Sequence, residues 1–367
     1  MSVVIVAACF GIVGSQLPPP QGSQSLTLGY KPSPLRGLDL GLALEGRRIV
    51  AQGEALRTLG IQARTLSVGA RTLGTNAKPL PPITALAVAP DSKSILAGSQ
   101  SGIQILTYPD LKPDRTLPTE LLNIHDLAFS PDGKSFAVAG GIPGKRGMVE
   151  LFTWPEGKLL QRLKPHSDLI YAIAWRSDSS AFASASADRT VCLIDAKSGK
   201  TTKSFEGHSR GVLCAVFLPN GELLTAGIDE SLRLWDLKTG ESLRTLANHT
   251  KQVNGLAVRP SLRDAPPMIV SVSDDRTVRL WQPTLGRLVR FARLESVPQA
   301  VAWTPDGSLI LVACKDGHMR TIDPDTMEIV GDQPAIDGVA YCLAVSGDGS
   351  VLIGGQNGQI KRIALKK

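Results

Sequence analysis

Paired cysteines are what this sequence most plainly lacks. It has 5 Cys in 367 residues. Past Cys9 they are Cys192, Cys214, Cys314 and Cys342, far apart and each inside an apolar, strand-like run. With no CxxC pair and no Cys/His cluster, neither a zinc site nor a disulfide framework is expected, and the four read as small buried hydrophobes. A phosphate-binding glycine loop and an HExxH helix are also missing, which removes the common signatures of nucleotide and metalloprotease chemistry. No cofactor or metal is expected. Helical periodicity is absent after about residue 80, and no apolar run reaches the roughly 18 residues that a membrane helix requires.

A basic surface is nearly absent too, despite a net charge of +7. Residues 1–80 carry eight basic groups (Lys31, Arg36, Arg47, Arg48, Arg57, Arg64, Arg71, Lys78) and three acidic ones (Asp39, Glu45, Glu54). The rest of the chain therefore holds 32 Lys and Arg against 30 Asp and Glu, a mixed solvated surface rather than an electrostatic footprint for phosphates. Nucleic acid is not the expected partner.

Residues 1–15 open with an apolar run, Val3 to Val13, of signal-peptide length, with Val13 and Ser15 small enough to flank a cleavage after Ser15. No Lys or Arg precedes the run, and Val6-Ala7-Ala8-Cys9 looks like a lipoprotein box set too close to Met1. The reading leans to export, to a periplasmic or secreted location rather than a cytoplasmic one; the alternative is a buried or frayed N-terminal strand. Residues 16–68 are Pro-rich and then Leu/Gly-rich and read as an extension, the alternative being a degenerate eighth unit. They contain most of a tandem heptapeptide that begins at Arg57, Arg64 and Arg71.

What the sequence does have is a phrase repeated seven times, with its Pro-equivalent position at 90, 131, 177, 219, 260, 305 and 347. A spacing of forty-odd residues at four short strands per unit is propeller arithmetic. The two longest spacings coincide with extra residues at 142–147 and 263–267, both expected between strands. Ser-Pro-Asp-Gly (130–133) and Thr-Pro-Asp-Gly (304–307) place Pro second and Gly fourth in a type I turn, so the strands on either side form a hairpin. Residues 69–367 thus read as all-β, a seven-bladed propeller of four-stranded antiparallel blades. The last unit stops after its third strand, and Arg71-Thr72-Leu73, similar to Arg244-Thr245-Leu246, is expected to supply the fourth and close the ring.

Trp235-Asp236, Gly207-His208 and the phrase running from Ser271 to Trp281 resemble WD repeats, the family typified by the G-protein β subunit. The resemblance implies a buried tetrad of His, Ser or Thr, Asp and Trp. It maps onto His208, Thr225, Asp229 and Trp235, onto His249, Ser271, Asp275 and Trp281, and in part onto His166, Ser184 and Asp188, where Ile194 stands for Trp. Four blades lack the His and must hold their turns otherwise. His166, His208 and His249 recur with the period, so a structural role is expected rather than catalysis.

The resemblance further implies a binding platform on an upper face, with a protein or peptide as partner. Carried over, its inner positions are Thr84, His125, Tyr171, Leu213, Asn254, Gln299 and Tyr341, and its outer ones Pro82, Asn123, Leu169, Gly211, Gln252, Val297 and Val339. Ala187, Ile228, Asp274 and Lys315, each before a turn Asp, complete the set. This mostly neutral composition suits protein contact, and Tyr171 and Tyr341 are expected to face the channel mouth as anchors. The expectation is a monomeric, non-enzymatic scaffold. The alternatives are a propeller enzyme, lactonase or quinoprotein-like, which would gather acidic, His or metal ligands at the mouth, and a propeller module of a larger multi-protein system.

Overall fold

Each repeated phrase is a tight turn, and its own polar groups hold it. A computed structural model describes residues 79–260 and 266–365. In the turn at 130–133 the Gly133 N–H donates to the Ser130 carbonyl at 2.8 Å. Asp132 Oδ1 accepts the Ser130 hydroxyl at 2.6 Å and the Lys134 N–H at 3.1 Å. Gly133 sits at φ 70°, a region that a side chain would strain. Thr304 to Gly307 repeats the arrangement, with Gly307 at φ 68° donating to Thr304 at 2.8 Å. The Asp of Trp235-Asp236 caps the turn at the same end of its blade, accepting the Lys238 N–H at 2.6 Å.

Twenty-seven strands follow from these turns, with only two 3-10 turns, Pro283–Leu285 and Gln356–Gly358, among the described residues. Each strand pairs antiparallel with its sequence neighbour, giving six four-stranded sheets and one three-stranded sheet. The blades span 83–117, 124–166, 170–206, 212–246, 253–293, 298–334 and 340–363, and are numbered 1 to 7 in that order. The extra residues at 142–147 lie only partly between strands. They lengthen the second and third strands of blade 2 to eight residues each, Ser135–Ile142 and Arg146–Thr153, because the backbone ladder continues from Gly141↔Gly147 to Ile142↔Arg146.

Blades face one another, so both sides of an inner strand are buried and alternate side chains enter different layers. Leu127 packs with blade 1 while its neighbour Ala128 packs with blade 3. Five hydrophobic clusters together fill all seven blade interfaces, the one around Leu352 joining blades 6, 7 and 1. Polar groups cross the same interfaces. The Trp175 and Trp303 indole N–H groups donate to the Ala128 and Ala257 carbonyls of the preceding blades at 3.1 and 3.2 Å. Fully buried Asp126 of blade 2 accepts the Ile173 N–H of blade 3 at 2.7 Å. Burial pushes its carboxyl up to about 7, against that bond and one from Leu127, which favour the ionised form.

Blades 7 and 1 meet through Tyr108, whose hydroxyl bonds Ser346 (3.0 Å) and Asp348, and through Arg362, stacked 5.3 Å from the Tyr108 ring and 3.3 Å from Asp348. Blade 7 has three strands among the described residues. The closing strand expected at 71–73, the segments 1–15 and 16–68 and the start of the propeller at residue 69 lie outside the described residues. Among the described residues no helix is long and apolar enough to cross a membrane. Cys192, Cys214, Cys314 and Cys342 are buried free thiols, and burial pushes that of Cys314 up to about 12.

Candidate functional site

The polar networks that hold each blade decide which end of the ring can present a constant surface. In blade 4 the His208 ring joins the interblade loop to the sheet. Nδ1 lies 2.9 Å from Asp229 Oδ2 and Nε2 2.8 Å from Thr225 Oγ1, which also accepts the Trp235 indole N–H at 2.8 Å. Thr225 has one proton to give, so it donates to Nε2 and leaves the Nδ1–H for the carboxylate. Burial pushes the Asp229 carboxyl up, but the hydrogen bonds from His208, the Ser209 N–H and Ser231 outweigh it and hold the group down at about 2. Blade 5 repeats the chain through His249, Asp275 (2.8 Å), Ser271 (2.7 Å) and Trp281 (2.8 Å). Here burial and the nearby Arg279 cation lower the imidazole pKa. In blade 3 His166 reaches Asp188 at 3.0 Å and Ser184 at 2.8 Å, and Ile194 leaves Ser184 without an indole donor. Burial alone would depress His166, yet the Asp188 carboxylate carries it up to about 9.

Three of the blades without the His use other polar groups, which the repeat search did not single out. Glu150, fully buried on the third strand of blade 2, accepts the Thr119 hydroxyl (2.6 Å), the Glu120 N–H (3.2 Å) and Arg162 Nε (2.7 Å), tying the interblade loop to the sheet as His208 does. Arg320 on the third strand of blade 6 makes a forked contact with Asp316 (3.2 and 2.7 Å) and reaches Asp332 at 3.1 Å. Asp332 also pairs with His318 at 2.6 Å. In blade 7, Gln359 exchanges two bonds of 3.0 Å with the Asp337 backbone. The signal was a lone charge inside an apolar strand, as in Met148-Val149-Glu150-Leu151-Phe152, which burial tolerates only when the charge is paired.

These networks fix the interblade loop against the turn between the second and third strands, and the outer positions meet the turn positions there. The Ala187 N–H donates to the Leu169 carbonyl (2.8 Å), Ile228 to Gly211 (2.9 Å), Asp274 to Gln252 (3.1 Å), Lys315 to Val297 (2.8 Å) and Gln356 to Val339 (2.9 Å). Gln356 was missed because no Asp follows it. In blade 4 the approach is close enough to need glycine, since a Cβ on Gly227 would lie 2.3 Å from the Gly211 carbonyl oxygen. Pro82 and Asn123 occupy the corresponding loops of blades 1 and 2, each half-buried.

The inner positions divide. Thr84 donates to the Gly98 carbonyl (3.3 Å) and to that of Ile124 in the next blade. Asn254 donates to Asp274 (2.7 Å) and to the Pro298 carbonyl of blade 6 (2.9 Å). Leu213 is fully buried, and Tyr171, 7% exposed, packs in the core of blades 3 to 5. His125, 7% exposed, meets the Tyr171 ring edge-on at 5.1 Å, and neither of its nitrogens has a hydrogen-bond partner among the described residues. Burial holds its pKa down to about 4, so the ring is neutral. Gln299 and Tyr341 are half-buried. Among the described residues no three His, Cys, Asp or Glu side chains are placed to hold one metal ion.

Residues 157–195, 199–236, 240–282 and 295–323 match the family model for the WD domain, G-beta repeat. Four WD repeats thus lie within this seven-bladed β-propeller. The first three of these repeats each begin with the outer strand of one blade and end with the third strand of the next, so successive repeats interlock. Similar proteins include "Protein ROOT INITIATION DEFECTIVE 3" of Arabidopsis thaliana, 25% identical over 61% of this chain and 55% of that protein. "Nuclear distribution protein PAC1" of Arthroderma otae is 30% identical over 43% of this chain and 35% of its own. A "p21-activated protein kinase-interacting protein 1-like" protein of Danio rerio is 29% identical over 41% and 40%. The WD propeller thus spans just over half the length of the first of these relatives and less of the other two.

Proposed function

We propose that this WD-repeat propeller is a non-enzymatic, monomeric scaffold that seats a protein or peptide partner on the end of the ring where the interblade loops meet the turns between second and third strands. One observation carries the reading: the same backbone hydrogen bond recurs in five blades and sets a loop residue beside a turn residue each time. The ten residues so joined include one acid, Asp274, and one base, Lys315; the others are aliphatic, amide or glycine. A rigid, repeated and largely neutral rim offers shape and hydrogen bonds more than charge, the composition of a protein contact surface. The relative whose name declares it a kinase-interacting protein is in keeping with that reading.

The accessible tyrosine of the inner set is Tyr341, so it replaces the pair as the anchor. Tyr341→Ala with Gln252→Ala is expected to weaken partner capture by about tenfold or more while leaving the melting temperature nearly unmoved. Lys134→Ala with Asn220→Ala, at the opposite end, should leave capture intact. Capture undiminished by the first variant, or lost with the second, would move the site elsewhere. Tyr171→Ala belongs to stability, since emptying that core position costs roughly 3 kcal/mol.

A further inference from the structure

The outer strand of blade 5, Arg287–Arg293, is the edge of its sheet. Residues 276–294 hold five arginines, Arg276, Arg279, Arg287, Arg290 and Arg293, and no acid. The matching hairpin of blade 4, residues 230–246, has three basic and three acidic residues, and that of blade 6, residues 317–334, has one arginine and four acids. Arg290 and Arg293 are exposed and form no ion pair among the described residues, while Arg287 Nε donates only to the neutral Gln282 (2.7 Å). Between them Phe291 is 54% exposed, with the Arg279 guanidinium 5.6 Å from its ring, and Leu285 at the end of the edge is 55% exposed.

We propose that this edge is a second docking surface, distinct from the loop-and-turn end, and that its occupant is an acidic, extended peptide segment of a partner protein, added to blade 5 as a fifth strand. An outer strand offers a row of unpaired N–H and C=O groups, and charge on such an edge keeps like strands apart. Arginines therefore bar a second copy of this strand and accept one carrying carboxylates. Main-chain bonds supply affinity in strand addition, and side chains on the two faces supply selection: on one face Arg290 for an acid, on the other Phe291 for an apolar residue with Arg293 beside it for a second acid. A nucleic acid fits less well: the positive strip is one hairpin wide, and the matching hairpin of the next blade carries four acids, Asp323, Asp325, Glu328 and Asp332.

The test is fluorescence anisotropy of a short labelled peptide of repeated Glu-Val-Val, which sets acids three residues apart as Arg290 and Arg293 are, with the full chain at low salt. Arg290→Glu with Arg293→Glu is expected to weaken binding by about tenfold or more, as is Phe291→Ala in part, whereas Arg290→Lys with Arg293→Lys and the upper-end variant Tyr341→Ala bind as before. A peptide of equal charge with Pro in place of one Val of each pair, unable to donate to the ladder there, should lose about tenfold. Equal binding by the charge-reversed protein, equal binding of the Pro peptide, or tighter binding of a single-stranded oligonucleotide of the same charge would each overturn the proposal.

Discussion

Asp229 shows at the scale of one residue how this fold uses charge. Its carboxylate accepts from His208, from the Ser209 N–H at 3.0 Å and from the Ser231 hydroxyl at 2.9 Å, so removing it orphans three donors at once. Asp229→Ala is expected to cost on the order of 1–3 kcal/mol, read as the free energy of unfolding in urea. The pH dependence has a definite sign. A carboxyl held near 2 when folded and near its ordinary 3.8 when unfolded stabilises the fold above pH 4 and loses that contribution as pH falls from 4 to 2. The melting temperatures of wild type and Asp229→Asn should therefore converge on acidification through that window. A gap that stays constant down to pH 2 would show that the carboxylate is not the source. These tetrads were legible because His, hydroxyl, Asp and Trp recur with the period. The burial of His125 and Tyr171 was not, since exposure at the inner positions depends on how closely neighbouring blades approach, a distance no single repeat encodes.

At the scale of the blade, different chemistry does one mechanical job. His208 joins an interblade loop to a sheet in blade 4, Glu150 does so in blade 2, and Arg320 holds the turn Asp316 in blade 6. Glu150→Gln is expected to destabilise by about 1.5–3 kcal/mol, the range for charge-assisted bonds, and to raise hydrogen exchange at residues 119–121 before the rest of blade 2. Uniform exchange across the chain would mean that Glu150 has no local role. The turns and strand order could be read from Pro, Asp and Gly at fixed offsets, each with a reason in backbone geometry. Glu150 and Arg320 escaped because a substitute network occurs once, and periodicity cannot show what does not repeat.

Over the whole molecule, a ring of blades is closed by whatever joins the last to the first. Within the described residues that seam is the cluster of Tyr108, Ser346, Asp348 and Arg362 together with the Cys342 thiol, which lies 3.5 Å from the Ile83 carbonyl. The third strand of blade 7, Ile360–Ile363, is its sheet's edge among the described residues, and residues 71–73 are proposed to cover it. Deleting residues 1–76 should then lower the melting temperature and drive association through that edge, seen by light scattering. A truncated chain that stays monomeric and melts unchanged would remove residues 71–73 from the ring.

The claim that the loop-and-turn end seats the partner is tested most directly by hydrogen exchange of the full chain with and without a captured, purified partner. The account predicts slowed exchange at residues 187–189, 228–230, 274–276, 315–317 and 356–358, with the turns at 130–133 and 304–307 unchanged. Protection confined to those opposite-end turns, with the first set unaffected, would contradict it.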